Sequence, residues 1–184
     1  MTSLPSEKAS SEGEVSKTDF SSCHTRILQN FDELKNIAEI EDFSDPQTQA
    51  MIKGLIKYFK HEVWEHHREE EEELFEALLD STHSSPDAGL AKEYVKRLTA
   101  EHRDMENQWR KKVKPDLRRL SHGKSVKFDR KAAAKLAADY LAHARFEEEE
   151  FLPFSEKILK GTGMSALGLA LHLRRAKRGV SAYI

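Results

Sequence analysis

Two stretches of the chain decide its fold, and they carry nearly the same pattern: residues 66–75 are HHREEEEELF and residues 143–153 are HARFEEEEFLP. Each begins with histidine, continues into a run of glutamates and ends in large apolar residues. Apolar residues three or four positions apart flank both stretches, and this is the spacing of one face of an α-helix. The two stretches therefore predict two helices whose inner, apolar faces are interrupted by histidine and glutamate.

The same apolar spacing continues on both sides of these stretches and predicts four long helices. They cover about residues 19–39, about residues 46–79, a segment from about residue 87, and about residues 129–161. Short links of Ser, Pro, Gly and His separate them, and no stretch alternates with the period of a strand. The expected fold is all-α: an antiparallel up-down four-helix bundle with a flexible N-terminal tail and a short C-terminal helix.

Local signals predict the helix ends and the domain organisation. Ser44-Asp45-Pro46 and Asp129 are expected to cap the second and fourth helices. Pro115 is expected to kink or end the third helix, and Pro153 to bend or restart the fourth. Residues 1–17, rich in Ser, Glu and Lys, predict a disordered tail. We expect the bundle over residues 18–160 and a C-terminal helical extension over residues 161–184.

Composition narrows the class of protein. The chain has 184 residues, a formal net charge of −2 and one cysteine, Cys23, so an internal disulfide is excluded. The balanced charge gives no bias toward nucleic acid or anionic membrane. The sequence contains neither a run of about eighteen apolar residues nor a secretory signal. We therefore expect a cytoplasmic protein with no nucleic-acid or membrane partner.

Polar side chains fill gaps in the inner faces of the predicted helices, and burying them without partners would cost several kcal/mol each. Histidine and glutamate four residues apart leave a helix on the same face. Inward-facing histidines on four helices, three of them paired with a glutamate, predict one shared cation site. Four histidines and three glutamates suit two six-coordinate ions with shared carboxylates better than one tetrahedral zinc. The candidate metal ligands are His24, His66, Glu70, His102, Glu106, His143 and Glu147.

Other histidines offer alternatives to this set. His61 and Glu65 have the same spacing but lie far around the helix, so we interpret them as solvated. His67 and Glu71 are rotated by one position from the inner face; we prefer His66 and Glu70, but the register of this helix stays open. His83, His122 and His172 lie in or near loops or on the basic terminal segment and are interpreted as surface residues.

Taken together, these residues resemble the hemerythrin-like, or HHE cation-binding, family over about residues 20–158. The resemblance rests on Cys23-His24-x-x-Ile27, residues 66–75, Glu101-His102 with Glu106, and residues 143–153. It implies two iron ions in an oxo- or hydroxo-bridged centre. It also implies that His24, His66, His102 and His143 are terminal ligands and that Glu70 and Glu147 bridge the two irons.

Glu106 matches a position that is histidine in the oxygen-carrying hemerythrins. A carboxylate there would favour the ferric state over reversible oxygen carriage. Two functions stay open: a sensor or binding protein for oxygen, peroxide or nitric oxide, with a protein partner to detect its state, and an enzyme that decomposes peroxide. Iron donation or storage ranks third, since that class often carries a cysteine-bearing N-terminal segment and residues 1–17 contain no cysteine.

Overall fold

The structure is a computed structural model that describes residues 11–40, 42–124 and 126–159, with side chains from His24 onward except that of Ala38. Within these ranges the chain forms four long helices and no strand. The first helix is Ser11–Glu39; the second spans residues 46–82, the third residues 88–120 and the fourth residues 130–159. The predicted all-α helical bundle is confirmed.

Neighbouring helices run antiparallel. The start of the second helix packs on the end of the third, and its last segment, Glu76–Thr82, packs on Ala88–Gln108. The same last segment contacts Leu152–Leu159, so the second and fourth helices run in the same direction. The first helix packs along Arg130–Phe146 of the fourth helix. The described helices thus go alternately up and down, as short links between long helices require.

Three of the helices contain wider turns with π-helical hydrogen bonding. Each such turn carries an extra residue and changes which side chains face inward beyond it. The second helix comprises the α-helical segments Pro46–Tyr58, Trp64–Glu69 and Glu76–Thr82, joined by the π turns Phe59–Val63 and Glu70–Phe75. The third comprises Ala88–Gln108, the π turn Trp109–Val113, and Lys114–Leu120; the fourth comprises Arg130–Phe146, the π turn Glu147–Phe151, and Leu152–Leu159.

The π turns explain why neither internal proline ends its helix. A proline inside an α-helix removes one backbone hydrogen bond, and its ring collides with the carbonyl one turn earlier. Pro115 and Pro153 each follow a π turn, which ends at Val113 and Phe151 respectively. The extra residue of the turn changes the hydrogen-bond register just before the ring. Both helices therefore continue past their prolines, and neither proline ends its helix.

The helix starts match the capping signals. Oδ2 of Asp45 accepts a hydrogen bond from the backbone N–H of Thr48 at 2.8 Å, and Pro46 follows at the first helical position. Oδ1 of Asp129 accepts one from the N–H of Ala132 at 3.0 Å. Both contacts satisfy N–H groups that the first turn of a helix leaves without partners.

The first helix begins earlier than predicted, at Ser11 rather than about Asp19. Composition indicated correctly that residues 11–17 have little apolar surface, but glutamate and lysine also have high helix propensity, and the helix extends through them. The remainder of the predicted tail and the predicted C-terminal extension, residues 161–184, lie outside the described residues.

A layer of histidine and glutamate divides the apolar core into two clusters. One cluster includes Phe31, Phe59, Trp109 and Tyr140, with the rings of Phe59 and Trp109 stacked 4.1 Å apart. The other lies toward the far end of the second and fourth helices and includes Leu74, Leu98 and Phe151. Along the part of the chain that is described, no helix is both long and apolar enough to span a membrane.

Candidate metal centre

The polar layer is formed by inward-facing side chains from all four helices. Each of its histidines and its two central glutamates has at most 2 % of its surface exposed. The first helix contributes His24 and the third contributes His102. The second and fourth helices contribute the two pairs His66–Glu70 and His143–Glu147. The structure thus brings together six of the seven residues that the sequence singled out.

These side chains form two groups whose ligand atoms could surround a cation. Within each group the candidate ligand atoms lie within 4.8 Å of one another. The first group consists of His24, His66, Glu70 and Glu147. The second group consists of Glu70, His102, His143 and Glu147. His67 lies close to His102 and His143 of the second group. Glu70 and Glu147 belong to both groups.

The two shared carboxylates each turn one oxygen toward each group. Oε1 of Glu70 is 3.3 Å from Nε2 of His66, while its Oε2 is 3.5 Å from Nε2 of His102. Oε2 of Glu147 is 3.0 Å from Nε2 of His24, while its Oε1 is 3.3 Å from Nε2 of His143. This is the arrangement in which a carboxylate can bridge two cations.

His66 and His67 are both buried, so the view that only one of them faces the core was wrong. The ring of His66 meets that of His24 edge to face at 4.8 Å. The ring of His67 stacks on that of His102, with centroids 3.9 Å apart and planes 4° from parallel. Adjacent residues on a helix point about 100° apart, and here the two directions lead to two different neighbouring helices. Sequence spacing alone missed His67 because it assumed a single inner face.

A carboxylate holds the outer nitrogen of four of these imidazoles. Carboxylates only accept hydrogen bonds, so each Nδ1 carries a hydrogen, and in the neutral ring Nε2 keeps a lone pair that faces the centre. This is the arrangement that fixes the tautomer of a metal-ligating histidine. The contacts are His24 to Glu148, His102 to Glu71 and His143 to Glu101, each at 2.8 Å, and His67 to Glu106 at 3.3 Å.

The inward nitrogens show that the donor set fits a cation. Nε2 of His102 and Nε2 of His143 lie 3.2 Å apart. With both Nδ1 atoms protonated, two lone pairs face each other, and neither nitrogen can donate to the other. Nε2 of His67 is also buried and has no hydrogen-bond partner among the described residues. Such groups are costly to bury unless a cation or a proton joins them.

Glu106 is the one predicted ligand that lies in neither group. Its carboxylate contacts the outer nitrogen of His67, and 28 % of its side chain is exposed. Three further glutamates, Glu71, Glu101 and Glu148, hold imidazoles in the same way and were not assigned that role from the sequence. In each glutamate run one residue enters the centre and the next binds a histidine of another helix. The repeated pairs of adjacent glutamates, Glu70–Glu71 and Glu147–Glu148, were the sequence signal for this role.

The imidazoles differ in how easily they accept a proton. Burial lowers the pKa of His102 well below the ordinary 6.5, and the neighbouring His67 and His143 lower it further. Burial also lowers the pKa of His67, against the opposing effect of Glu106. Burial alone would lower the pKa of His24 too, but Glu147 and Glu148 outweigh it and raise the pKa well above 6.5. A proton therefore favours His24, whose ring contacts two carboxylates, over His67 and His102.

The charge on Glu147 persists in spite of its burial. Burial raises the pKa of a carboxyl group, yet His143 and His24 hold the pKa of Glu147 below the ordinary 4.5. A buried anion kept charged by its neighbours is a suitable ligand for a cation.

Comparison with known proteins identifies the family. Residues 18–155 match the family model described as hemerythrin HHE cation binding domain. No curated protein and no solved structure matches the chain significantly. Because the match covers most of the chain, the protein belongs to the hemerythrin HHE cation-binding domain family. Its helical bundle and buried His/Glu groups are those of a metal-binding protein.

Proposed function

We propose that the chain is a non-heme di-iron protein that binds or reacts with a small ligand such as oxygen, peroxide or nitric oxide, and that it acts as a redox or oxygen sensor or binding protein. The observation that carries this proposal is the pair of ligand groups that share Glu70 and Glu147, each carboxylate presenting one oxygen to each group. Imidazole and carboxylate suit iron, and two groups provide for two ions.

In this proposal the first ion is held by His24 and His66 and the second by His67, His102 and His143, with Glu70 and Glu147 bridging. His67 replaces Glu106 in the predicted ligand set, and Glu106 orients His67. The terminal ligands are then neutral imidazoles. Glu106, the anionic ligand expected to favour the ferric state over reversible oxygen carriage, is not part of the set. Bound iron would supply a Lewis acid and a one-electron couple.

The small cavity beside His67 supports the proposal that the ligand is a small molecule. A cavity of about 10 Å³ lies between the four helices, with His67, Glu106 and Tyr140 among its lining residues. Such a volume holds about one water-sized molecule. The rest of its lining is largely apolar, including Phe31 and Trp109. A space this small beside His67 favours a small molecule over larger substrates.

One observation favours peroxide decomposition as a second candidate function. Glu106 lines the same cavity and also hydrogen-bonds to His67. A carboxylate next to a ligand chamber can take and return a proton during peroxide breakdown. Glu106→Gln keeps the size of the side chain and removes this proton acceptor. If the protein is an enzyme of this kind, the variant should lose most of its oxygen evolution from peroxide when the activity is expressed per bound iron.

The test of the proposal is metal analysis with optical spectra of anaerobically reduced and air-oxidised protein. We expect two irons per chain and a spectrum that changes when oxygen or nitric oxide is added to the reduced form. Glu147→Gln should lose most of the iron, whereas Glu149→Gln, an exposed residue in the same run, should keep it. At most one transition metal per folded chain would contradict the proposal.

A further inference from the structure

Arg103 lies next to His102 on the third helix, outside the metal-facing layer and 53 % exposed. Its guanidinium is placed between two carboxylates from different helices. Nη2 makes a very close contact with Oε2 of Glu71 on the second helix, and Nη1 is 3.4 Å from Oε1 of Glu106 on the third. A planar guanidinium presents several donors in fixed directions, so it can hold two carboxylates in a set relation.

Both carboxylates also hold imidazoles. Oε1 of Glu71 is 2.8 Å from Nδ1 of His102, and Oε1 of Glu106 is 3.3 Å from Nδ1 of His67. The rings of His67 and His102 are stacked. Arg103 therefore contacts the two carboxylates that hold the stacked imidazoles of His67 and His102. Arg97 makes the comparable contact to one such carboxylate, Glu101, at 2.8 Å.

We infer that Arg103 is a positioning residue for the metal centre: it holds Glu71 and Glu106 and thereby sets the hydrogen-bond strength at the outer nitrogens of His102 and His67. The inference rests on the proposed function. Exposed ion pairs contribute little to stability, so the expected effect lies in the imidazoles. A carboxylate that also binds a guanidinium is a weaker acceptor for the imidazole N–H. That imidazole then donates less electron density through its inner nitrogen.

Removing the guanidinium should strengthen the two outer hydrogen bonds. The imidazoles of His67 and His102 would become more electron-rich, which stabilises the higher oxidation state of a bound metal. Arg103→Gln removes the charge, and Arg103→Lys keeps the charge but loses the planar fork. Arg145→Gln is the matched control. It removes the same charge two residues from His143, and the carboxylate of Glu149 lies 3.8 Å from Nε of Arg145.

The first measurement uses metal-free protein, so it does not depend on iron. We expect the Nδ1–H proton resonances of His67 and His102 to move downfield in Arg103→Gln, to move less in Arg103→Lys and to stay unchanged in Arg145→Gln. Thermal melting of each variant checks that it folds. Resonances in Arg103→Gln that match those in Arg145→Gln would overturn the inference, whatever the metal content.

The second measurement is the midpoint potential of the iron-loaded protein. It should fall in Arg103→Gln, partly recover in Arg103→Lys and stay near wild type in Arg145→Gln. An unchanged potential in Arg103→Gln would contradict the inference while leaving the proposed function intact. Failure of the wild-type protein to take up two irons would contradict the proposed function, and the resonances of the metal-free protein would still decide the role of Arg103.

Discussion

His66 and His67 are neighbours in the chain but face different helices. His66 meets His24 on the first helix, and His67 stacks on His102 of the third. We predict that His66→Ala and His67→Ala each lose most of the bound iron, because each proposed ion would lose a terminal ligand. His61→Ala, an exposed change on the same helix, should keep wild-type iron. Elemental analysis after iron loading is the measurement. A wild-type iron content in His67→Ala would show that His67 packs in the core without binding iron.

Glu71 and Glu72 are adjacent, yet only one of them contacts a buried histidine in the structure. Glu71 accepts the hydrogen bond from His102, while Glu72 is 62 % exposed with Arg68 as its ion-pair partner. We predict that Glu71→Gln weakens metal binding about 10- to 100-fold, as expected for a group that orients a ligand. Glu72→Gln should leave the affinity unchanged. Competition with a chelator measures both, and equal affinities would show that Glu71 does not orient His102.

Much of the arrangement of individual residues could be predicted, because the side chains of a histidine and a glutamate four positions apart on an apolar face must both point into the core. That spacing selected His66, His102 and His143 with the two shared glutamates, and the apolar face of the first helix selected His24. The structure brings these six residues together. It failed for His67 and Glu106. Which side of an inner face meets which neighbour depends on how the helices are arranged around the centre, and one helix considered alone does not contain that information.

At the scale of helices, the ends were predictable and the interior turns were not. Asp45 and Asp129 act through contacts three residues away, so local sequence was sufficient. The π turns have no comparable signal, since the extra residue is accommodated by packing against other helices. Two of them begin at the shared glutamates, Glu70 and Glu147. These two turns therefore change the inward register at the centre, while the turns that end at Val113 and Phe151 lie just before the two internal prolines.

The N-terminal cap of the fourth helix gives a prediction that distinguishes an effect on stability from an effect on metal binding. Asp129→Ala removes the acceptor for the N–H of Ala132. It should lower the free energy of unfolding by about 1 kcal/mol. Asp129 lies two helical turns or more from His143, so iron content should stay at the wild-type level. Chemical denaturation and metal analysis of the same sample measure the two quantities, and a loss of iron with unchanged stability would contradict this account.

For the whole molecule, the opposed pKa shifts predict how the stability of the metal-free protein depends on pH. Burial first, and then neighbouring imidazoles, lower the pKa of His102, and burial lowers that of His67. Below pH 6.5 the unfolded chain binds protons that the native state does not, so stability falls with falling pH. The pKa of His24 is raised by Glu147 and Glu148 against the effect of burial. Its contribution is fully present below 6.5 and is lost as pH rises through the raised value.

The two effects together give a stability maximum near pH 6.5 for the metal-free protein. Denaturant unfolding across a series of buffers measures it. His24→Gln should flatten the decline on the alkaline side, and His102→Gln should flatten the decline on the acidic side. A steady rise from pH 5 to pH 8 in the wild type would show that other groups dominate.

The polar layer between two apolar clusters also affects how the chain opens. The far cluster includes residues from the second, third and fourth helices, and the other cluster includes residues from all four. Each cluster can keep its own amides protected from solvent when the other opens. Metal-free protein should thus behave as two cooperative units that share continuous helices. Two ions bound by residues of every helix would join those units, so that amide hydrogens at both ends exchange in a single event.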